Sequence, residues 1–179
     1  MLQKYCFLWI QSCSIAPLIF KRSKLALNGQ FFGVSSFDAT YNLSVHIIGF
    51  RDGINCDGRW SNEITGNIIE TRNWGIYAND AQGDYLVESN TLSKYTGDGD
   101  WLMYFTNAAS VVVQNNTCEA LGGSGFYFNS TNVTMDHNLI VSPGKGLELT
   151  NQAGGTILNN TMISSGGDYG ISVSNLSTP

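Results

Sequence analysis

Charge is scarce in this sequence. Only 13% of its 179 residues are Asp, Glu, Lys or Arg, about half the share of an average soluble domain. Hydrophobic residues nevertheless make up 42%, which excludes a disordered chain and suffices for the core of one domain. Basic residues are scarcer than acidic ones, 9 against 14 for a net charge of -5. That balance excludes a general nucleic-acid binder, because neutralising phosphates takes a basic surface. The deficit is also uneven: residues 1-72 hold seven Lys or Arg against five acids, whereas 73-179 hold only Lys94 and Lys145 against nine. A polyanion would meet an acidic second half unless bound metal intervened.

No apolar run reaches the ~20 residues of a membrane span. The longest, Tyr5 to Phe20, is broken by Gln11, Ser12, Ser14 and Pro17, so no stable span is expected. Its basic cluster, Lys21, Arg22 and Lys24, follows the apolar stretch, and only Lys4 precedes it, unlike the order of a secretory signal. Residues 1-29 are read as an irregular or helical cap or the remnant of an upstream coil, with a cleaved signal as the other reading. The four cysteines, 6, 13, 56 and 118, form no CxxC pair, and the two histidines, His46 and His137, stand alone. A structural zinc site is therefore not expected. Cys6 and Cys13 either pair or stay free.

What replaces the missing charge is turn chemistry: 18 Asn and 20 Gly, with many Ser and Thr. These residues recur in a frame. Val111-x-Val113-x-x-Asn116-x-Cys118 is followed by Gly125-Phe126-x-Phe128, and Val133-x-Met135-x-x-Asn138-x-Ile140 by Gly146-Leu147-x-Leu149. Ile157-x-x-Asn160-x-Met162 with Gly170-Ile171-x-Val173, and Ile64-x-x-Asn67-x-Ile69 with Gly75-Ile76-x-Ala78, repeat it. The asparagines 67, 90, 116, 138 and 160 advance by 23, 26, 22 and 22 residues. Alternation within each unit is strand-like, and repetition between units is solenoidal.

Over about residues 40-175 this pattern resembles the right-handed parallel β-helix family, the fold of pectate lyases, polygalacturonases and phage tailspikes. The resemblance implies an all-β, single-stranded parallel solenoid of about six coils, occupying 30-179 and belonging to a longer helix or capped by another chain. The asparagine column then serves structure, through left-handed turn geometry and side-chain hydrogen bonds along the stack. Each glycine before the next strand is assigned the same turning need. Alternation sends two columns inward: Ile54, Ile76, Met103, Phe126, Leu147, Ile171 and Cys56, Ala78, Phe105, Phe128, Leu149, Val173. Cys56 and Cys118 fall inside about three coils apart, too far to bridge.

Outward on the same strands stand Asn55, Tyr77, Tyr104, Tyr127, Glu148 and Ser172. Parallel strands set neighbouring tyrosines ~4.8 Å apart, close to the advance of one ring in an extended glycan. Two readings follow: an aromatic platform for sugar, and rings that stack on one another to stabilise the sheet. The longest loop, Ser93 to Trp101, carries Asp98-Gly99-Asp100, which offers two carboxylates to a hard cation such as Ca²⁺ or forms a plain acidic turn. Arg72, Lys94, Asp98, Asp100 and Glu119 define a candidate catalytic cleft bordered by Trp74, Tyr95 and the tyrosines, with Glu148 beside them. Paired carboxylates act as acid and base in glycoside hydrolysis, and a Lys or Arg can abstract a proton beside a uronate carboxyl group.

The family motifs carry over only in part. Asp136-His137 resembles the Trp-Ile-Asp-His neighbourhood of pectate lyases, which would make Asp136 a calcium ligand. The tryptophan position is Thr134 here, and no arginine follows Arg72 to act as the lyase base. Polygalacturonase elements have no counterpart. Both histidines are read as structural, within a strand or at its edge. Gly122-Gly123-Ser124-Gly125 lacks the lysine of a phosphate loop, and the six Asn-x-Ser/Thr sequons, from Asn42 to Asn175, reflect turn composition. The expectation is a carbohydrate-associated domain, extracellular, periplasmic or at the cell surface, binding or processing an extended polysaccharide, with or without uronates. The alternative is a non-catalytic scaffold or adhesin.

Overall fold

Short alternating segments punctuated by Asn and Gly can bury one face only by stacking on copies of themselves, and they do so here. The computed structural model describes residues 32-35, 46-56, 61-95, 101-151, 154-166 and 168-175, and every regular element among them is a strand. Three parallel sheets result. Sheet A holds β1 (Phe32–Ser35), β3 (Asp52–Asn55), β6 (Ile76–Ala78), β9 (Trp101–Thr106), β12 (Ser124–Asn129), β15 (Leu147–Thr150) and β18 (Ile171–Ser174). Sheet B holds β4 (Asn62–Thr65), β7 (Asp84–Glu88), β10 (Ser110–Gln114), β13 (Asn132–Asp136) and β16 (Gly155–Leu158). Sheet C holds β2 (His46–Phe50), β5 (Ile68–Thr71), β8 (Thr91–Lys94), β11 (Thr117–Ala120), β14 (Leu139–Ser142) and β17 (Thr161–Ser164). The chain runs B, C, A in each turn, which gives five complete turns from β4 to β18, with strands of two earlier turns, β1 and then β2 and β3, beneath them.

Both expected inward columns hold. Ile76, Met103, Phe126 and Leu147 are fully buried, as are Ala78, Phe105 and Phe128, while Cys56 and Cys118 are buried free thiols on different sides of the coil. Burial pushes the Cys118 thiol far above its ordinary range, so it stays a neutral core group. Ile171 and Val173 are about half exposed, since no described turn lies over them. Residues 1-29, with Cys6 and Cys13, lie outside the described residues.

The asparagine column is a continuous hydrogen-bonded ladder. Asn67 Nδ2 donates to Asn90 Oδ1 at 2.8 Å, Asn90 to Asn116 at 3.0 Å, Asn116 to Asn138 at 2.9 Å and Asn138 to Asn160 at 2.8 Å. Each receiving oxygen also accepts the backbone N–H of the asparagine one turn below. The expected division of labour needs one correction. The left-handed residue is the one before each ladder asparagine: Gly66, Ser89, Asn115, His137 and Asn159 all have φ between 51° and 67°. A residue in that conformation turns the chain sharply, which leaves the asparagine itself free to point inward. A second left-handed column, Asp80, Asn107, Ser130, Asn151 and Asn175, makes the turn out of sheet A.

Candidate functional site

Register places Tyr77, Tyr104 and Tyr127 on successive strands as mutual partners, with Asn55 below and Glu148 and Ser172 above. The phase of Trp101-Leu102-Met103-Tyr104-Phe105, where no polar residue marks the face, is thereby settled. The three rings stack nearly parallel, at 5.2 Å and 5.0 Å between centroids and 11° between planes. Such stacking occupies ring faces. Tyr104, covered on both sides, offers its outer edge and hydroxyl to solvent. Partial burial, and then the neighbouring Tyr127, raises the pKa of Tyr104 above its ordinary value, so the hydroxyl keeps its proton and its capacity to donate.

Two tryptophans flank the stack. Trp74 lies 4.5 Å from Tyr77 at 35°, and Trp101 lies 5.2 Å from Tyr127 at 41°. Lys145 Nζ sits 5.9 Å from the Trp101 ring centre and pairs with Glu148 Oε2 at 2.6 Å. Thr150 Oγ1 donates to the Tyr127 hydroxyl at 3.1 Å. All these side chains are half-buried, so the outer side of sheet A is a band of aromatic edges and hydroxyls closed at one end by an ion pair. Trp101 and Lys145 did not emerge from sequence reasoning. In the sequence Trp101 reads as the end of a loop, and Lys145 carries only the three-residue spacing to Glu148 as a signal.

The remaining expected site residues are dispersed. Lys94 is wholly inside the coil, because it continues the inward alternation of Leu92 on β8 instead of turning out toward the loop. Glu119 projects from the outer side of sheet C, a different face from the tyrosines. Arg72 and Tyr95 are exposed on adjacent turns and meet, with Arg72 Nε donating to the Tyr95 hydroxyl at 3.4 Å. Asp98 and Asp100 lie outside the described residues. Among the described residues no three His, Cys, Asp or Glu side chains cluster as metal ligands.

Asp136 projects from sheet B, and His137 follows it in the left-handed turn at the edge of β13. Asn159 Nδ2 donates to Asp136 Oδ1 at 2.9 Å and His137 Nδ1 lies 2.8 Å from the same oxygen, and these bonds hold the carboxyl below its ordinary pKa of 3.8. A carboxylate lowered in the folded state stabilises it above the unfolded pKa, and that contribution is lost as pH falls through the folded value. Unfolding midpoints taken between pH 6 and pH 2 should therefore fall less steeply below about pH 4 for Asp136→Asn than for the parent chain.

The family model for the right-handed β-helix region matches residues 20–178. This chain belongs to the right-handed β-helix family, and the ladder, the three sheets and the inward columns are its local expression. No curated protein and no solved structure gives a match.

Proposed function

We propose that this β-helix binds an extended polysaccharide along the outer face of sheet A. One observation carries the reading: half-buried Tyr77, Tyr104 and Tyr127 stack across the successive strands β6, β9 and β12, with Trp74 against Tyr77 and Trp101, from the strand of Tyr104, against Tyr127. Their repeat matches the axial rise of the solenoid, so a polymer lying along the axis meets an equivalent contact at each turn. Because the tyrosine faces are taken up by one another, the stack contributes edges and a row of hydroxyls, and the flanking rings Trp74 and Trp101 supply apolar faces for the C–H side of a sugar. Lys145 and Glu148 add a cationic and an anionic hydrogen-bonding group, which suits a glycan bearing both hydroxyls and uronate carboxylates. A protein that works on such a polymer belongs at the cell surface, in the periplasm or outside the cell.

Binding without cleavage is favoured over processing by one arrangement: Lys94 is interior and Glu119 faces away from the aromatics. Titration calorimetry against neutral and uronate polymers should detect binding that Trp101→Ala weakens about tenfold, or ~1.4 kcal/mol. Glu119→Gln should bind as the parent does. No affinity for any polymer, or equal affinity in Trp101→Ala, would remove the proposal. Incubation of the same polymers with and without Ca²⁺, followed by assay for unsaturated products and reducing ends, separates a binder from an enzyme.

A further inference from the structure

We propose that the corner where sheet C passes into sheet A holds one internal water molecule, bound between Thr71 Oγ1 and Asn73 Oδ1. Thr71 is fully buried and Asn73 is 2% exposed, yet neither oxygen has a hydrogen-bond partner among the described residues. Buried polar atoms of native proteins are otherwise almost always paired, with protein or with ordered water. Two such atoms two residues apart, both continuing the inward alternation from Ile69, point to a shared ligand.

Reorienting side chains does not resolve the deficit. Asn73 Nδ2 donates to Asp52 Oδ1 at 2.8 Å, and Asp52 is itself buried. Turning the amide over would set its oxygen against that carboxylate, so Oδ1 is held on the side away from Asp52. Nearby backbone donors are committed: the N–H groups of Arg72 and Asn73 go to Arg51 O, that of Gly75 to Leu102 O and that of Tyr95 to Thr71 O. Water supplies two donors to these acceptors and can accept from the threonine hydroxyl. A metal cation suits the corner less well. Lys94 pairs with Thr71 one turn above and is wholly inside, so this part of the core already holds one basic group. The water would have a positional consequence, because Arg72 and Trp74 flank Asn73 on the turn that leads to the aromatic band.

A crystal structure of the full chain that shows ordered solvent should place one isolated peak within hydrogen-bond distance of both oxygens. Oxygen-17 relaxation dispersion in solution should then count one long-lived water fewer in Thr71→Val than in the parent, and an unchanged number in Thr71→Ser, which keeps the hydroxyl. An empty corner, Lys94 Nζ bonded directly to either oxygen, a peak whose occupancy follows added salt, or equal counts in Thr71→Val and the parent would each overturn the proposal. Should Thr71→Val fail to fold, the crystal structure of the parent decides alone.

Discussion

Replacing Asn116 with alanine is expected to lower the unfolding free energy by about 3 kcal/mol. Asn116 stands in the middle of the ladder and is 1% exposed. Its Oδ1 accepts both the backbone N–H of Asn90 at 2.9 Å and Asn90 Nδ2 at 3.0 Å, and its own Nδ2 donates to Val87 O at 2.9 Å. Alanine removes these bonds, together with those from Nδ2 to Asn138 Oδ1 and Gln114 O, and leaves the Asn90 N–H buried without an acceptor, so the cost is that of stranded groups, which exceeds the net worth of a hydrogen bond. Asn160 tests the account. Its side chain makes the same downward bonds but is only half-buried, so water can reach what its removal exposes. Asn160→Ala should cost about 1 kcal/mol in the same urea titration. Equal losses at the two positions would mean that the ladder acts by turn propensity alone, without the burial argument.

The division between what could and could not be read from the sequence follows from the range of each interaction. Inward columns were legible because burial imposes a period of two on every strand, and the equivalence of Val113, Met135 and Ile157 is visible as spacing. Tyr77, Tyr104 and Tyr127 were legible for the same reason: once Met103 is inward, Tyr104 must be outward. Whether their rings stack or open toward a ligand was not, since that depends on side-chain rotation in three neighbouring turns. Lys94 was misplaced because its charge suggested solvent, whereas its position after Leu92 on an alternating strand required the interior. Glu119 was grouped with the tyrosines by its nearness in sequence to the loop, although the corner between sheets C and A separates their faces. The burial of Lys94 and Asp52 and the unpartnered Thr71 and Asn73 oxygens, all near one corner, have no sequence signature, because the residues come from three turns.

The second large effect is expected at Gly125, where alanine should cost about 3 kcal/mol through contact alone. The glycines that open sheet A strands were expected to serve turning, yet none of Gly53, Gly75, Gly125 and Gly146 has a positive φ. Their role is close approach between turns. A Cβ on Gly125 would stand 2.3 Å from Gly146 O and 2.7 Å from Ile140 Cγ2. Neither neighbour can yield cheaply, since Gly146 O accepts the Phe126 N–H at 3.0 Å and Ile140 is fully buried. The turns would have to separate locally, which weakens sheet A pairing on both sides of β12 and disturbs the tyrosine stack that β12 shares with β9. Gly170 provides the control, because it holds the equivalent place on the last described turn and a Cβ there meets nothing within 4 Å. Gly170→Ala should therefore stay within about 0.5 kcal/mol of the parent. If denaturant titration finds the two substitutions equivalent, the spacing of the turns is not set by the glycine column, and the strands of sheet A must be held at that distance by the tyrosine and phenylalanine stacks on its two faces.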